Sequence, residues 1–207
     1  PGATNAAEAG GFVCSPLAKD GRPDVQLHFV PAQMDDHGRN RLPGHGYTMH
    51  ACALRPSSRG EITLRDSSPV SHPRISPRYL SHPDDWPLMI EAAKISREIF
   101  AQAAFSPHRG REIFPGESAR SDQELVEFIR AKAETIYHPV GTCSMGPGAD
   151  AVVDWRLKVH GLEGLRVVDA SVMPTLLSGN TNAPTIMIAE RASDLLRGLE
   201  DSDMPDI

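Results

Sequence analysis

Apolar Val25, Leu27 and Phe29 alternate with polar Gln26 and His28, the two-residue period of a strand that buries one face, and Pro31 ends the run. A second alternation sets Tyr47, Met49, Ala51 and Ala53 against Thr48, His50, Cys52 and Leu54. The turn PSSRG then leads into a third strand expected over Glu61 to Arg65. Consecutive strands joined by short turns predict an antiparallel sheet. The first 24 residues, rich in Gly, Ala and Pro, read as a connection, and the Gly- and Pro-punctuated stretch from Asp35 to Gly46 reads as a loop.

The pattern changes after residue 65. Prolines at 69, 73, 77 and 83 forbid a helix interior and suit an extended loop with an edge strand near Ile75. Ser81 to Asp85 offers caps for a helix over about Trp86 to Ala104, with Ile95, Ile99 and Ala103 on one face. Ser121 with Glu124 forms a capping box that opens a helix reaching about Thr135 and burying Leu125, Phe128 and Ile129. Two short strands follow, Arg156 to His160 and Leu165 to Val168, the second apolar enough for a sheet buried on both faces. A last helix starts near Asn182, which is expected to be its N-cap, with Pro184 tolerated in the first turn. Its apolar stripe is Ile188, Ala192, Leu195 and Leu196, opposite Glu190, Arg191, Asp194 and Arg197. A strand, a loop at Asp169 and this helix make half of a βαβ unit, so the final residues are expected to join a parallel sheet whose other strands lie outside the chain.

Composition narrows the partners. The 207 residues carry a net charge of −6 with both signs interspersed, so no basic stripe offers itself to nucleic acid. Cys14, Cys52 and Cys143 are far apart and odd in number, which signals neither a disulfide framework nor a zinc site and makes a reducing cytoplasm the expected compartment. No apolar run reaches the length of a membrane span. The scattered histidines offer no metal-ligand spacing, and no metal is expected.

The chemistry concentrates in two stretches, ETIYHPVGTCSMG from Glu134 and SGNTNAPTIMIAER from Ser178. The first sets the imidazole of His138 before Pro139 and a turn at Gly141. The second sets Asn180 and Asn182 at a helix start, whose unpaired amides and positive dipole end favour negative charge. Together with VHGLEGLRVVDASVMP between them, these blocks resemble the C-terminal part of the glucose-methanol-choline (GMC) family of FAD-dependent oxidoreductases, most closely its choline dehydrogenase-like and alcohol dehydrogenase-like members. RPDVQLHF, RPSSRG and ISPRYLSHPDD extend the likeness weakly over nearly the whole chain.

That resemblance implies an α/β fold in two parts. Residues 1–137 would form an α+β substrate-binding domain built on the antiparallel sheet, and residues 138–207 a catalytic segment completing a Rossmann-like FAD-binding domain. No G-x-G-x-x-G follows a strand, and the chain opens on PGATNAAEAGGF without an initiator Met, so a longer enzyme is expected whose N-terminal dinucleotide-binding part is a partner of this one. By resemblance, His138 is the base of a primary alcohol or other CH–OH oxidation, and Asn180 stands where the family has His or Asn as the second polar group. Asp169, Ala170, Asn180, Thr181, Asn182, Pro184 and Thr185 would line the isoalloxazine and ribityl part of FAD. Ser144 stands where many relatives have a basic residue. The substrate is a small alcohol; a choline ammonium would need an aromatic or acidic cage, and with aromatics at 5% the rest of the enzyme would have to help supply it.

Two other readings stay open at this level. HPVGTCSMG could serve a hydrolase, with Cys143 or Ser144 as nucleophile and His138 as base, although G-x-S-x-G is absent and no acidic orienter is evident. Alternatively the chain is a cofactor-free structural fragment.

Overall fold

The computed structural model describes residues 7–199, so the first six residues of the expected N-terminal connection lie outside it. Helices mix with an antiparallel sheet, an α/β architecture. Two compact units form, residues 7–61 with 74–136 and residues 62–73 with 137–199. The segment 62–73, grouped with the first part on sequence, falls to the second unit. Leu64 and Val70 in it are both exposed, so no apolar burial holds it to the sheet.

The first unit is built on a sheet of order β1-β2-β3, with β1 at Ala9–Val13, β2 at Val25–Val30 and β3 at Thr48–Ala53, antiparallel throughout. β2 and β3 form where the sequence alternates, but their burial does not alternate: Gln26 is buried between Val25 and Leu27, and β3 is half-buried along its length. β1 was not expected, because AGGFV has too few side chains to alternate. Its glycines have a structural reason instead: a Cβ on Gly10 would lie 2.6 Å from the Leu27 carbonyl oxygen, so only glycine lets β1 approach β2 here. Two further short strands, β4 (Glu61–Thr63) and β5 (Arg74–Ser76), flank the proline-rich stretch near the expected positions.

Helix α1 runs over Asp85–Ala101 and buries Ala92 with Val25 and Leu27 of β2, with Leu88, Ile95, Ile99, Met49 and Ala51 packed around them. It stops short of Ala104 because Gln102 turns extended. A 3-10 turn at Ala103–Phe105 follows, and the Phe105 ring joins those of Phe29, Tyr47 and Phe100, all neighbouring centroids 5.0 to 6.4 Å apart. The start of α1 is held by Asp85, whose buried carboxylate accepts from the amides of Ser57 (2.6 Å) and Ser58 (2.9 Å) and from the Ser58 hydroxyl. Helix α2 (Asp122–Lys132) opens on the predicted capping box: Ser121 Oγ accepts from the Glu124 amide, and the Glu124 carboxylate accepts from the Ser121 amide. Leu125 and Ile129 are buried and Phe128 half-buried.

The second unit has its own core of Val153, Leu157, Val172, Met173, Ile188 and Ala192. The expected strands at Arg156 to His160 and Leu165 to Val168 reduce to single bridges, Val153 with Val159 and Lys158 with Arg166. Leu157 takes a left-handed φ of 62°, which no strand accommodates, and Leu165 and Val168 are exposed rather than buried on both faces. No parallel sheet forms among the described residues of this unit. Helix α3 (Asn182–Leu196) buries Ile188 and Ala192 and half-buries Leu195, but Leu196 is exposed. At about 3.6 residues per turn it stands roughly 80° round the helix from Ile188.

Candidate active site

His138 lies in a loop that the second unit's core holds from below. Tyr137 just before it adopts φ 65°, left-handed for a non-glycine residue, and Gly141 after it adopts φ 91°. A side chain at Gly141 would be strained by that φ and would reach 3.4 Å from the Met173 carbonyl oxygen. Beyond the turn, the Cys143 amide donates to the Ser171 carbonyl (3.0 Å) and the Met145 amide to the Val172 carbonyl (2.9 Å). The loop is thereby fastened to a 3-10 turn at Ala170–Val172, whose Val172 and Met173 are core residues packed with Ile188 and Ala192 of α3. A second loop approaches from the other side, with Ser178 at φ 61° just ahead of Asn180. Left-handed non-glycine residues cost about 1–3 kcal/mol each and collect where function requires a particular backbone path.

These two loops meet at the imidazole. Asn180 Nδ2 is 2.8 Å from His138 Nε2, and Thr181 Oγ1 is 3.0 Å from His138 Nδ1. An amide nitrogen only donates, so Nε2 is the acceptor of that pair, while the threonine hydroxyl can accept from a protonated Nδ1 or donate to a bare one. The Thr181 amide also points to Nδ1, at 3.5 Å, the long limit of a hydrogen bond. Thr181 is 8% exposed, whereas Asn180 on the other side of the ring is exposed.

Asn182 is not the N-cap. Thr181 holds that position, its carbonyl accepting from the Thr185 amide (3.0 Å) and hydroxyl (2.6 Å), and no side chain caps the helix start. The helical backbone begins at Asn182, one residue earlier than an Asn182 cap requires. Asn182 and Ala183, both exposed, therefore open α3 without a side-chain cap, and Pro184 in the first turn has no amide hydrogen to satisfy. Asp169 accepts from the Ser171 amide at 2.8 Å and so closes the 3-10 turn begun by Ala170. The structure joins His138, Asn180 and Thr181 directly. Asp169 and Ala170 belong to the turn on which the His138 loop is fastened.

The hydrogen bonds of His138 run to residues 180 and 181, and neither Cys143 nor Ser144 is among its partners. The Ser144 hydroxyl instead lies 3.5 Å from its neighbour's carbonyl, that of Met145, and Cys143 is half-buried with a free thiol. A nucleophile activated by this imidazole is not what the geometry offers.

In the first unit, Asp36, His37 and Glu134 bring their ligand atoms within 4.8 Å of one another, a grouping the sequence spacing does not reveal. Its members are already engaged with the chain. Glu134 Oε2 accepts from the His37 amide (3.2 Å) and lies 3.1 Å from His37 Nδ1, while the Asp36 carboxylate pairs with Arg39. This cluster ties down a turn in which Asp36 and His37 are both left-handed. On β3, burial pushes the His50 imidazole below its ordinary pKa, against the raising influence of Glu134, and burial pushes the Cys52 thiol up.

Residues 56–189 match the family described as GMC oxidoreductase. The chain belongs to that family. It is 53% identical, over 93% of its length, to an alcohol dehydrogenase [acceptor] of Pseudomonas putida and 48% identical, over 99%, to the mitochondrial choline dehydrogenase of Mus musculus. It spans 35% of each of these relatives, about a third of their length. Among solved structures, pyridoxine 4-oxidase from Mesorbium loti superposes with a TM-score of 0.85 at 28% identity, covering 93% of this chain and 38% of that one. A formate oxidase of Aspergillus oryzae RIB40, studied for its FAD modification, gives 0.77 at 27% identity over 88% and 33%. The GMC match crosses both units and takes in α1, α2, the His138 loop and most of α3, while β1, β2 and β3 precede it. No described helix of this segment is long and apolar enough to cross a membrane.

Proposed function

We propose that this chain supplies the base and its hydrogen-bonding partner to an FAD-dependent oxidation of an alcohol or other CH–OH donor. The observation that carries the reading is the 2.8 Å pair between Asn180 Nδ2 and His138 Nε2. A substrate hydroxyl that displaces this direct contact meets Nε2 as an acceptor for its proton and the amide as a donor to its oxygen. Nε2 takes the proton as the C–H bond breaks, and the Asn180 amide donates to the oxygen as negative charge develops there. An amide suits that second role because it cannot take the proton back. Thr181 keeps the ring upright from Nδ1, and the turn at Gly141 fixes the loop that carries it.

FAD, when bound, accepts the hydride. The residues at the start of α3 suit its ring: with no side-chain cap, the amides of Asn182 and Ala183 form a donor set without an acceptor, at the positive end of the helix dipole. Such a set favours an electron-rich heterocycle edge by about 0.3–2 kcal/mol. Asn180, Thr181, Pro184 and Thr185 shape the same helix mouth, and Asp169 with Ala170 supports it. The phosphate and adenine contacts would come from the remainder of a longer enzyme. Three free, separated thiols support a reducing compartment such as the cytoplasm.

The test uses the full-length enzyme containing this chain. Anaerobic mixing with a panel of alcohols, followed near 450 nm, should bleach the wild-type flavin, and His138→Ala should slow that bleaching by about 10² to 10⁴-fold. Flavin reduction at an unchanged rate in His138→Ala would overturn the assignment. Repeating the panel with oxygen and with an artificial acceptor separates oxidase from dehydrogenase.

A further inference from the structure

We infer that Thr181 is a positioning residue that fixes the tautomer of His138, an inference that rests on the reading of His138 as the base. A base that works through Nε2 needs its lone pair there, and a neutral imidazole has its lone pair on whichever nitrogen lacks the proton. The Asn180 amide, a donor only, calls for that lone pair on Nε2, and the proton left on Nδ1 then needs a partner to hold it. Here that partner is the Thr181 hydroxyl, 3.0 Å from Nδ1.

Three features make Thr181 a fixed acceptor rather than a chance neighbour. Its side chain is on a residue only 8% exposed, so water competes poorly for Nδ1–H. Its carbonyl is the first acceptor of α3, held by both the amide and the hydroxyl of Thr185, so its backbone cannot shift without unwinding the helix start. It also directly follows Asn180, so consecutive residues grip the two nitrogens of one ring, the buried one holding Nδ1 and the exposed one facing Nε2. The burial gradient across the ring therefore agrees with the tautomer: the proton is stored on the buried side and the lone pair faces the accessible side.

The experiment uses the full-length flavoenzyme with ¹⁵N-labelled histidine, in wild type, Thr181→Ser and Thr181→Val. The wild-type His138 resonances should be those of a ring protonated on Nδ1 and bare on Nε2. Thr181→Ser keeps the hydroxyl and should keep this pattern. Thr181→Val keeps the shape but removes the acceptor; part of its population should move the proton to Nε2, with reduction slowed about 10- to 100-fold while KM changes less than kcat. A wild-type ring protonated on Nε2 overturns the inference before any variant is made, which covers the case of a valine variant that fails to fold. Equal losses in serine and valine variants with an unchanged tautomer would also overturn it, since the threonine methyl would then be the group that matters. If instead His138→Ala turned over normally, the base assignment would fail while the wild-type spectrum still reported the tautomer, so the two failures are distinguishable.

Discussion

Replacing Asn180 by Asp changes one atom where the proposed chemistry is most sensitive. The variant sets a carboxylate oxygen in place of the amide nitrogen that stands 2.8 Å from His138 Nε2. A carboxylate there attracts an imidazolium, so it stabilises the protonated ring and keeps the base occupied. At 2.8 Å the Coulomb attraction is about 1.5 kcal/mol in water and about 6 kcal/mol at an effective dielectric of 20. Asn180 is exposed, so screening and side-chain freedom bring the net gain to about 1 kcal/mol or less. At 1.36 kcal/mol per pH unit, the midpoint of the acid limb in the pH dependence of flavin reduction should rise by about half a unit. The sign follows from the charge: a ring held protonated cannot accept the substrate proton, so activity is lost at low pH and recovers as pH rises through the new midpoint. The lost donor to the developing oxyanion lowers the plateau by a further 10² to 10³-fold or so. Anaerobic stopped-flow traces of the full-length enzyme between pH 5 and 10, compared with Asn180→Ala, separate the two effects, because alanine should lower the plateau without raising the midpoint. An aspartate profile with the wild-type midpoint would refute the geometry on which the mechanism depends.

Ser121→Ala removes one half of the capping box and should lower unfolding stability by about 1 kcal/mol, read from urea denaturation. Gly141→Ala forces a side chain onto φ 91° and toward the Met173 carbonyl, so a loss of about 1–3 kcal/mol should accompany slower flavin reduction, a pairing that thermal unfolding and stopped-flow together check. Burial of Asp85 would raise its pKa, but the Ser58 hydroxyl and the Ser57 and Ser58 amides outweigh burial and hold it below the ordinary carboxylate value. Its contribution to stability is therefore present above about pH 4 and lost as pH falls through the depressed folded value. Asp85→Asn should lower stability at neutral pH and flatten that acid loss in urea titrations.

How far the sequence spoke depended on whether side chains carried the signal. The alternation in β2 and β3, the stripe of α1 and the capping box of α2 are side-chain patterns, and each element formed within a few residues of its expected bounds. β1 was missed because its reason for existing is an absence: Gly10 leaves room for the Leu27 carbonyl, and a glycine has no periodicity to read. The strands expected around residues 156–168 failed for the opposite reason. Their apolar residues were visible, but the left-handed Leu157 is a backbone decision that the composition of that run does not encode. At the site, His138 and Asn180 stood out because their blocks resemble a family, yet nothing in their spacing of 42 residues says that a carboxamide reaches Nε2. Thr181 was read only as part of a cofactor lining, and the helix cap was assigned one residue too late, at Asn182. The unforeseen Thr181 contact and the misplaced cap have one origin. A threonine whose carbonyl starts a helix and whose hydroxyl turns back to an imidazole satisfies a partner outside the helix, and capping preferences, which weigh side-chain bonds to the helix's own amides, rank it below the asparagine beside it. An uncapped helix start beside a buried hydroxyl next to a histidine is thus a single arrangement: the side chain that could have closed the helix is engaged with the imidazole instead.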